Sequence, residues 1–347
     1  MFFIMRKKVL HITILFILVL TSQRLDAQII QFSQYFAAPL FLAPSYAGDC
    51  NGSRISANYR NQWPEIGVFN TYAVAYDQNL YKVNSGIGAM ILRDDAGDGH
   101  LALTVIDLCY SWWTNITRDW IIRPGISFKY NTRSVDFQDL IFQDQIDEKG
   151  NMPVRSTTET PPLSNKPFLD MEVSVVASSD RYWGGFSVDH LLRPKASLYS
   201  DDTYHEDMKI SFFGGAKMYV GAPTTTSKSR KNKGDMQNVS FAALYEYSKL
   251  SDQLSLGAYW TKSPFTLGAW LRGIPVAVRE ESYGNLDAVV LLLGYKIYDL
   301  HIGYSYDFTI GELLSSTGGS HEISLIYEFS PKAKAKKRHS VIACPRL

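Results

Sequence analysis

Few stretches of this sequence combine residue types that could do chemistry. In "RDDAGDGH" (93–100), Asp94, Asp95 and Asp98 alternate with Gly97 and Gly99. Carboxylates interleaved with glycine could wrap a hard cation, but a calcium loop needs a fixed alternation of ligands and a closing Glu, and both are missing. The stretch reads as a tight turn. Ser320, His321 and Glu322 supply the types of a nucleophile, a base and an acid. They are adjacent, however, and neighbours in an extended strand point to opposite faces, so the three cannot converge on one another and only a pairing across strands stays open. The seven histidines are scattered, and Cys50, Cys109 and Cys344 lie far apart, so no metal-ligand spacing exists. The sequence predicts no catalytic residue, no metal and no cofactor. What remains is binding.

The elements that would position binding residues are strands. In "WIIRPGISFKYNT", Trp120, Ile122, Pro124, Ile126, Phe128 and Tyr130 share one face and Arg123, Gly125, Ser127, Lys129 and Asn131 the other. "LHIGYSYDF" sets Leu300, Ile302, Tyr304, Tyr306 and Phe308 against His301, Gly303, Ser305 and Asp307. This period of two recurs in fourteen segments, near 52–61, 67–78, 85–93, 100–112, 119–132, 168–178, 182–189, 208–220, 239–249, 252–260, 265–272, 287–296, 299–307 and 320–329. Segment 287–296, "DAVVLLLGYK", is apolar on both faces and leaves its register open. A soluble sandwich would also alternate. Three features favour a membrane: apolar faces that end in Trp and Tyr, an opposite face of Gly, Ser, Lys and Glu, and strands that follow one another with almost no helical interruption. The expectation is an all-β, transmembrane, antiparallel up-and-down β-barrel of about 14 strands, of the outer-membrane type.

The ends fit that compartment. Arg6, Lys7 and Lys8, an apolar run from Val9 to Leu20 and Leu25-Asp26-Ala27 read as a signal peptide over 1–27. It is too short to span a bilayer comfortably, so the chain is exported to the outer membrane of a Gram-negative bacterium and meets no nucleic acid. Residues 28–50 form an N-terminal segment, 51–330 the barrel and 331–347 a basic tail. Short turns at 113–118, 179–181, 261–264 and 297–299 would face the periplasm. Longer connections such as 133–167 and 190–207 would face outward. Residues 221–238 break that pattern as a long basic periplasmic loop.

Three candidate features follow. "QFSQYFAAPLFLAPSYAG" (31–48) is uncharged and aromatic, and its prolines forbid a long helix. At the periplasmic end of a barrel it reads as a latch or plug built on Phe32, Tyr35, Phe36, Pro39, Phe41, Pro44, Tyr46 and Gly48, with a loose lead-in to the first strand as the alternative. The tail carries Lys332, Lys334, Lys336, Lys337 and Arg338, a solvated basic run or a periplasmic docking element. Cys50 precedes the first strand and Cys344 follows the last, so both fall near the seam that closes the barrel, a candidate disulfide.

Blocks along the chain also resemble one family. They are "QFSQYFAAPLFLAPSYAG", "ISANYRNQWP" (55–64), "NTYAVAYD" (70–77), "DDAGDGHL" (94–101), "LIFQDQID" (140–147), "GGFSVDHLLRP" (184–194), "IGYSYDFT" (302–309), "GGSHEISLIYEF" (318–329) and "CPRL" (344–347). Together they resemble the PorP/SprF outer-membrane proteins of type IX secretion and gliding motility, over nearly the whole mature chain. Ala43 departs from the Asn expected there. The resemblance implies a non-enzymatic role in export or surface attachment of a large adhesin bearing a type-B C-terminal sorting domain. The implied partners are that adhesin, periplasmic and outer-membrane components of the secretion system, and outer-membrane lipid. The residues alone leave a second reading open, a passive channel or small-solute uptake barrel.

Overall fold

A computed structural model describes residues 30–97, 101–136, 164–198, 205–220, 237–249, 252–274, 287–310 and 317–329. Its strands are β1 (Ser53–Gln62), β2 (Phe69–Leu80), β3 (Ser85–Ala96), β4 (Leu101–Trp112), β5 (Thr114–Asn115), β6 (Ile121–Ser134), β7 (Asn165–Ser178), β8 (Tyr182–Asp189), β9 (Lys209–Tyr219), β10 (Asn238–Tyr247), β11 (Asp252–Lys262), β12 (Phe265–Ile274), β13 (Ala288–Ile297), β14 (Leu300–Thr309) and β15 (Ser320–Phe329). β5 is a two-residue bridge beside β6, so among the described residues fourteen long strands make the wall. Each pairs antiparallel with its neighbours. β1 runs against β15 from Ser53↔Phe329 to Gln62↔Ser320, and β4 against β6, which closes the barrel and leaves no open edge. This is the expected fold class. The largest boundary shifts are at the end of β3, at Ala96 rather than 93, and the start of β7, at Asn165 rather than 168. There the hydrogen-bonded ladder outlasts the apolar pattern, because it continues past the lipid-facing band.

The two faces differ as lipid requires. Ile91, Leu108, Phe128, Leu169, Leu291 and Leu293 point outward and are exposed. In water such a surface would drive aggregation, whereas hydrocarbon accepts it. Trp112, Tyr182, Tyr295 and Tyr327 ring the mouth where β1 starts and β15 ends, here called the terminal mouth. Tyr59, Tyr72 and Tyr130 lie toward the opposite, loop mouth, the first two in a tilted ring contact with centroids 5.0 Å apart. The inward face is buried although it is rich in Ser and charge, as at Ser56, Ser111, Ser174, Ser305 and Ser324.

The segment preceding β1 fills the interior. Its backbone forms one turn of helix, α1 (Pro39–Leu42), and a 3-10 turn at Pro44–Tyr46. Each begins on a proline, which presets φ at a first helical position where no N–H donor is needed. The segment explains β13. Val290 and Leu292 face inward and pack in one cluster with Tyr35 and Phe36, while Leu291 and Leu293 face lipid, so both sides of that strand are apolar.

Candidate functional site: an occupied lumen

Residues 31–49 meet the wall in three zones along the barrel's height. Near the loop mouth, the head of the segment sits in a cage of charge. Glu322 accepts the backbone N–H of Ser33 at 2.6 Å and of Gln34 at 3.1 Å. Ser33 Oγ donates to Asp307 at 2.7 Å and accepts from Arg60 and Arg272, each at 2.7 Å. The Gln34 amide nitrogen donates to Ser305 Oγ (3.2 Å) and to the Glu322 carbonyl (3.1 Å), and its oxygen accepts from Ser324 at 2.6 Å. Arg60, Asp307, Glu322 and Arg272 are all almost fully buried. Charges taken out of water are tolerable only when paired and hydrogen-bonded, and these are paired.

The middle zone is aromatic. Tyr35 stands edge-on to Trp270 (5.4 Å) and shares a hydrogen bond with Ser255, at 3.4 Å. Phe36 meets Trp183 at 6.2 Å and Tyr259 at 6.1 Å. Phe32 packs edge-on against Phe41 at 5.0 Å. Such edge-to-face contacts add about 0.5–1.5 kcal/mol each beyond area burial.

Toward the terminal mouth the backbone itself is clamped. Arg54 grips Asp77 through Nε (2.8 Å) and Nη2 (3.0 Å), and Asp77 also accepts the Gly48 N–H at 2.9 Å. Ser111 and Arg123 donate to the Ala47 carbonyl, and Arg123 pairs with Asp49 at 3.4 Å. Ser45 N donates to Ser174 at 2.9 Å, and Tyr46 leans on Phe213 at 5.8 Å. The wall is bare where the segment comes closest. A Cβ on Gly86 would collide with the Ala47 carbonyl, and one on Gly125 with the Ser45 backbone.

Of the residues named from sequence, Phe32, Tyr35, Phe36, Pro39, Pro44, Tyr46 and Gly48 are buried in the lumen, and Phe41 is half-buried. Sequence reasoning missed Ser33, Gln34 and Ser45, and the wall partners Asp77, Arg272, Asp307 and Glu322. Polar side chains set among the apolar ones of an uncharged stretch were the available signal for Ser33 and Gln34. Cys50 is a free, buried thiol that donates to the Gly52 carbonyl at 3.4 Å; Cys344 lies outside the described residues. The tail residues Lys332, Lys334, Lys336, Lys337 and Arg338 lie outside them too, as do 221–236 and 137–163. Ser320 and Glu322 face the lumen while His321 turns outward to Tyr304 at 2.8 Å, as adjacent strand positions must. In the acidic turn, Asp94 accepts from Thr71 and Asp95 pairs with Arg93, both within the wall, and Asp98 is outside the described residues.

A second charged group lies on the wall of β6, β7 and β8. Lys129 Nζ sits 2.8 Å from both Glu172 and Asp189. Asp170, Asp189 and His190 bring their ligand atoms within 4.8 Å of one another, but Lys129 already supplies the cation at Asp189. His190, just beyond β8, is hydrogen-bonded to Asp170. Burial alone would lower its pKa, but the Asp189 and Asp170 carboxylates outweigh burial and hold it above the ordinary value. A raised folded-state pKa gives stability that is fully present below the unfolded value and lost as pH rises through the folded one. His190→Ala should therefore lower the denaturant midpoint more at about pH 6 than at about pH 9, since the imidazolium is populated only at the acid end. Equal losses at both would refute the pairing.

Comparison with solved structures finds barrels of low likeness. The KdgM porin shares 9 % identity at a TM-score of 0.34, over 80 % of this chain and 99 % of that one. CdiB from Acinetobacter baumannii shares 6 % at 0.42, over 80 % and 60 %. A Rh. blastica porin mutant shares 8 % at 0.33, over 80 % and 98 %. No curated protein matches the sequence. The model of one family, the type IX secretion system membrane protein PorP/SprF, matches residues 25–327, which span β1 to β15 and the luminal segment alike, and the chain belongs to that family.

Proposed function

We propose that this outer-membrane component of type IX secretion works by binding, and that it helps export, or hold at the cell surface, a large adhesin bearing a type-B C-terminal sorting domain. The family supplies the machine. The observation that carries the binding role is the occupied lumen: the buried charges of β1, β12, β14 and β15 engage Ser33 and Gln34, and the middle of the barrel is packed with rings. A passive channel draws no support from such an interior.

In this reading the terminal mouth faces the periplasm. The basic tail, Lys332 to Arg338, docks on periplasmic parts of the secretion machinery, and the connection at 133–167 meets the adhesin outside. Residues 28–50 act as a latch that keeps the barrel sealed while it serves as a platform. Deleting the chain from its own host tests the role. Adhesin should vanish from the cell surface, accumulating inside or in the medium, while its synthesis is unchanged. Normal surface display in the deletion strain would overturn the proposal.

A further inference from the structure

The head cage and the aromatic shelf beneath it form a site that reads a peptide, and we infer that it takes one in trans: an uncharged segment of a secreted polypeptide with Ser-Gln between aromatic residues, displacing the chain's own residues 31–37 from the loop mouth. The inference rests on the reading that the barrel binds a secreted polypeptide, and it names where and by what chemistry.

Three observations support it. First, the site is complete without its present occupant. Arg60 pairs with Asp307 at 2.8 Å and Glu322 at 3.4 Å, and Arg272 with Asp307 and Asp287, each at 2.7 Å. When the head leaves, no buried charge is stranded, so vacancy is tolerable. The terminal clamp differs, because it grips backbone that runs directly into β1. The head is therefore the part that can leave, with the clamp as its hinge.

Second, the recognition is that of a peptide. Glu322 receives two consecutive backbone N–H groups, three groups surround one primary amide, and two guanidiniums and a carboxylate surround one hydroxyl. A site that hydrogen-bonds every direction of an amide rejects ligands lacking it.

Third, the present occupant leaves part of the site unused. Trp183 and Trp270 are nearly fully buried, and the indole N–H of each has no hydrogen-bond partner. Their rings are held in place over Gly215 and Gly257, where a Cβ would collide with them. Phe36 offers these indoles only its ring. A peptide that presents a carbonyl or hydroxyl there would satisfy donors the head leaves unmade, and an unmade buried bond costs its full desolvation. A head from a second copy would exchange like for like and gain nothing.

The test uses the full chain carrying Gln34→Glu, in lipid nanodiscs. That substitution sets a carboxylate against the Glu322 carbonyl and loses the amide donor, so the head should vacate the cage. The probe is a fluorescent nonapeptide of residues 31–39. It should bind the variant saturably, and the parent chain at least about 10-fold more weakly because its own head competes in cis. The same peptide bearing Gln34→Glu should not bind. A second variant lacking residues 31–37 leaves the site open by construction. No saturable binding to either variant would overturn the inference, and so would equal binding of the two peptides. Mixed dimers of variant and parent chains would assign the site to a second copy and also overturn it. Adhesin display in the host is read separately, so failure here leaves the accessory role standing.

Discussion

Gly86→Ala combined with Gly125→Ala should open a conductance that the parent chain lacks. At both positions the luminal segment touches the wall backbone to backbone, Ala47 over Gly86 and Pro44-Ser45 over Gly125. A methyl group has nowhere to go, because the atoms it meets are main chain rather than the end of a flexible side chain. Overpacking of this kind costs about 1–3 kcal/mol per site, and the strained partner is the segment, which no ladder ties to the wall. The strands carrying Gly86 and Gly125 remain fully paired, so the wall should persist while the segment lifts off. Gly184→Ala is the control, since its Cβ would find only the Phe213 carbonyl at 3.7 Å, an ordinary contact. Single-channel recordings in planar bilayers should show steady openings for the double variant and none for the parent or the control. A closed double variant would mean that the segment is not what seals the lumen.

Asp307→Ala should be the most destabilising single substitution inside the barrel. Asp307 has no solvent exposure and holds Arg60 at 2.8 Å, Arg272 at 2.7 Å and the Ser33 hydroxyl at 2.7 Å. Its loss leaves two buried guanidiniums facing each other with diminished compensation. Breaking a buried pair from one side costs about 3–5 kcal/mol, and Glu322 and Asp287 keep the expected loss from exceeding that range. The half-exposed pair Arg93–Asp95 provides the contrast, since removing Asp95 should cost about 1 kcal/mol or less. Urea midpoints of the folded barrel in detergent would measure both. Equal, small losses would show that the cage contributes specificity and not stability.

The wall was legible because strand periodicity is a local property. Lipid outside and a polar interior impose opposite demands on alternate residues, so "LHIGYSYDF" announces its own faces. The ambiguous segment 287–296 was ambiguous for a physical reason. Val290 and Leu292 face the aromatic shelf, so β13 lacks the polar inner face that would have revealed its register. The aromatic residues of 31–48 stood out by composition, but their partners did not. Ser33, Gln34, Arg60, Asp307 and Glu322 converge from three distant regions of the chain, and the wall residues Arg60, Asp307 and Glu322 each look alone like an ordinary hydrated position in a barrel interior. Gly125 reads only as one small position on the polar face of a strand, and Gly86 carries no local signal at all, yet each leaves room for main chain that is distant in sequence. Convergence of this kind is set by closure of the whole sheet, which no local pattern encodes.

A sealed barrel that serves type IX secretion has to do so through its partners. Affinity capture of the tagged chain from solubilised outer membranes of its own host, with mass spectrometry of what is retained, would reveal those partners. A large adhesin with a type-B sorting domain, or periplasmic components of the secretion machinery, should be held in stable proportion to the barrel. A barrel recovered alone from membranes that contain those proteins would contradict that role.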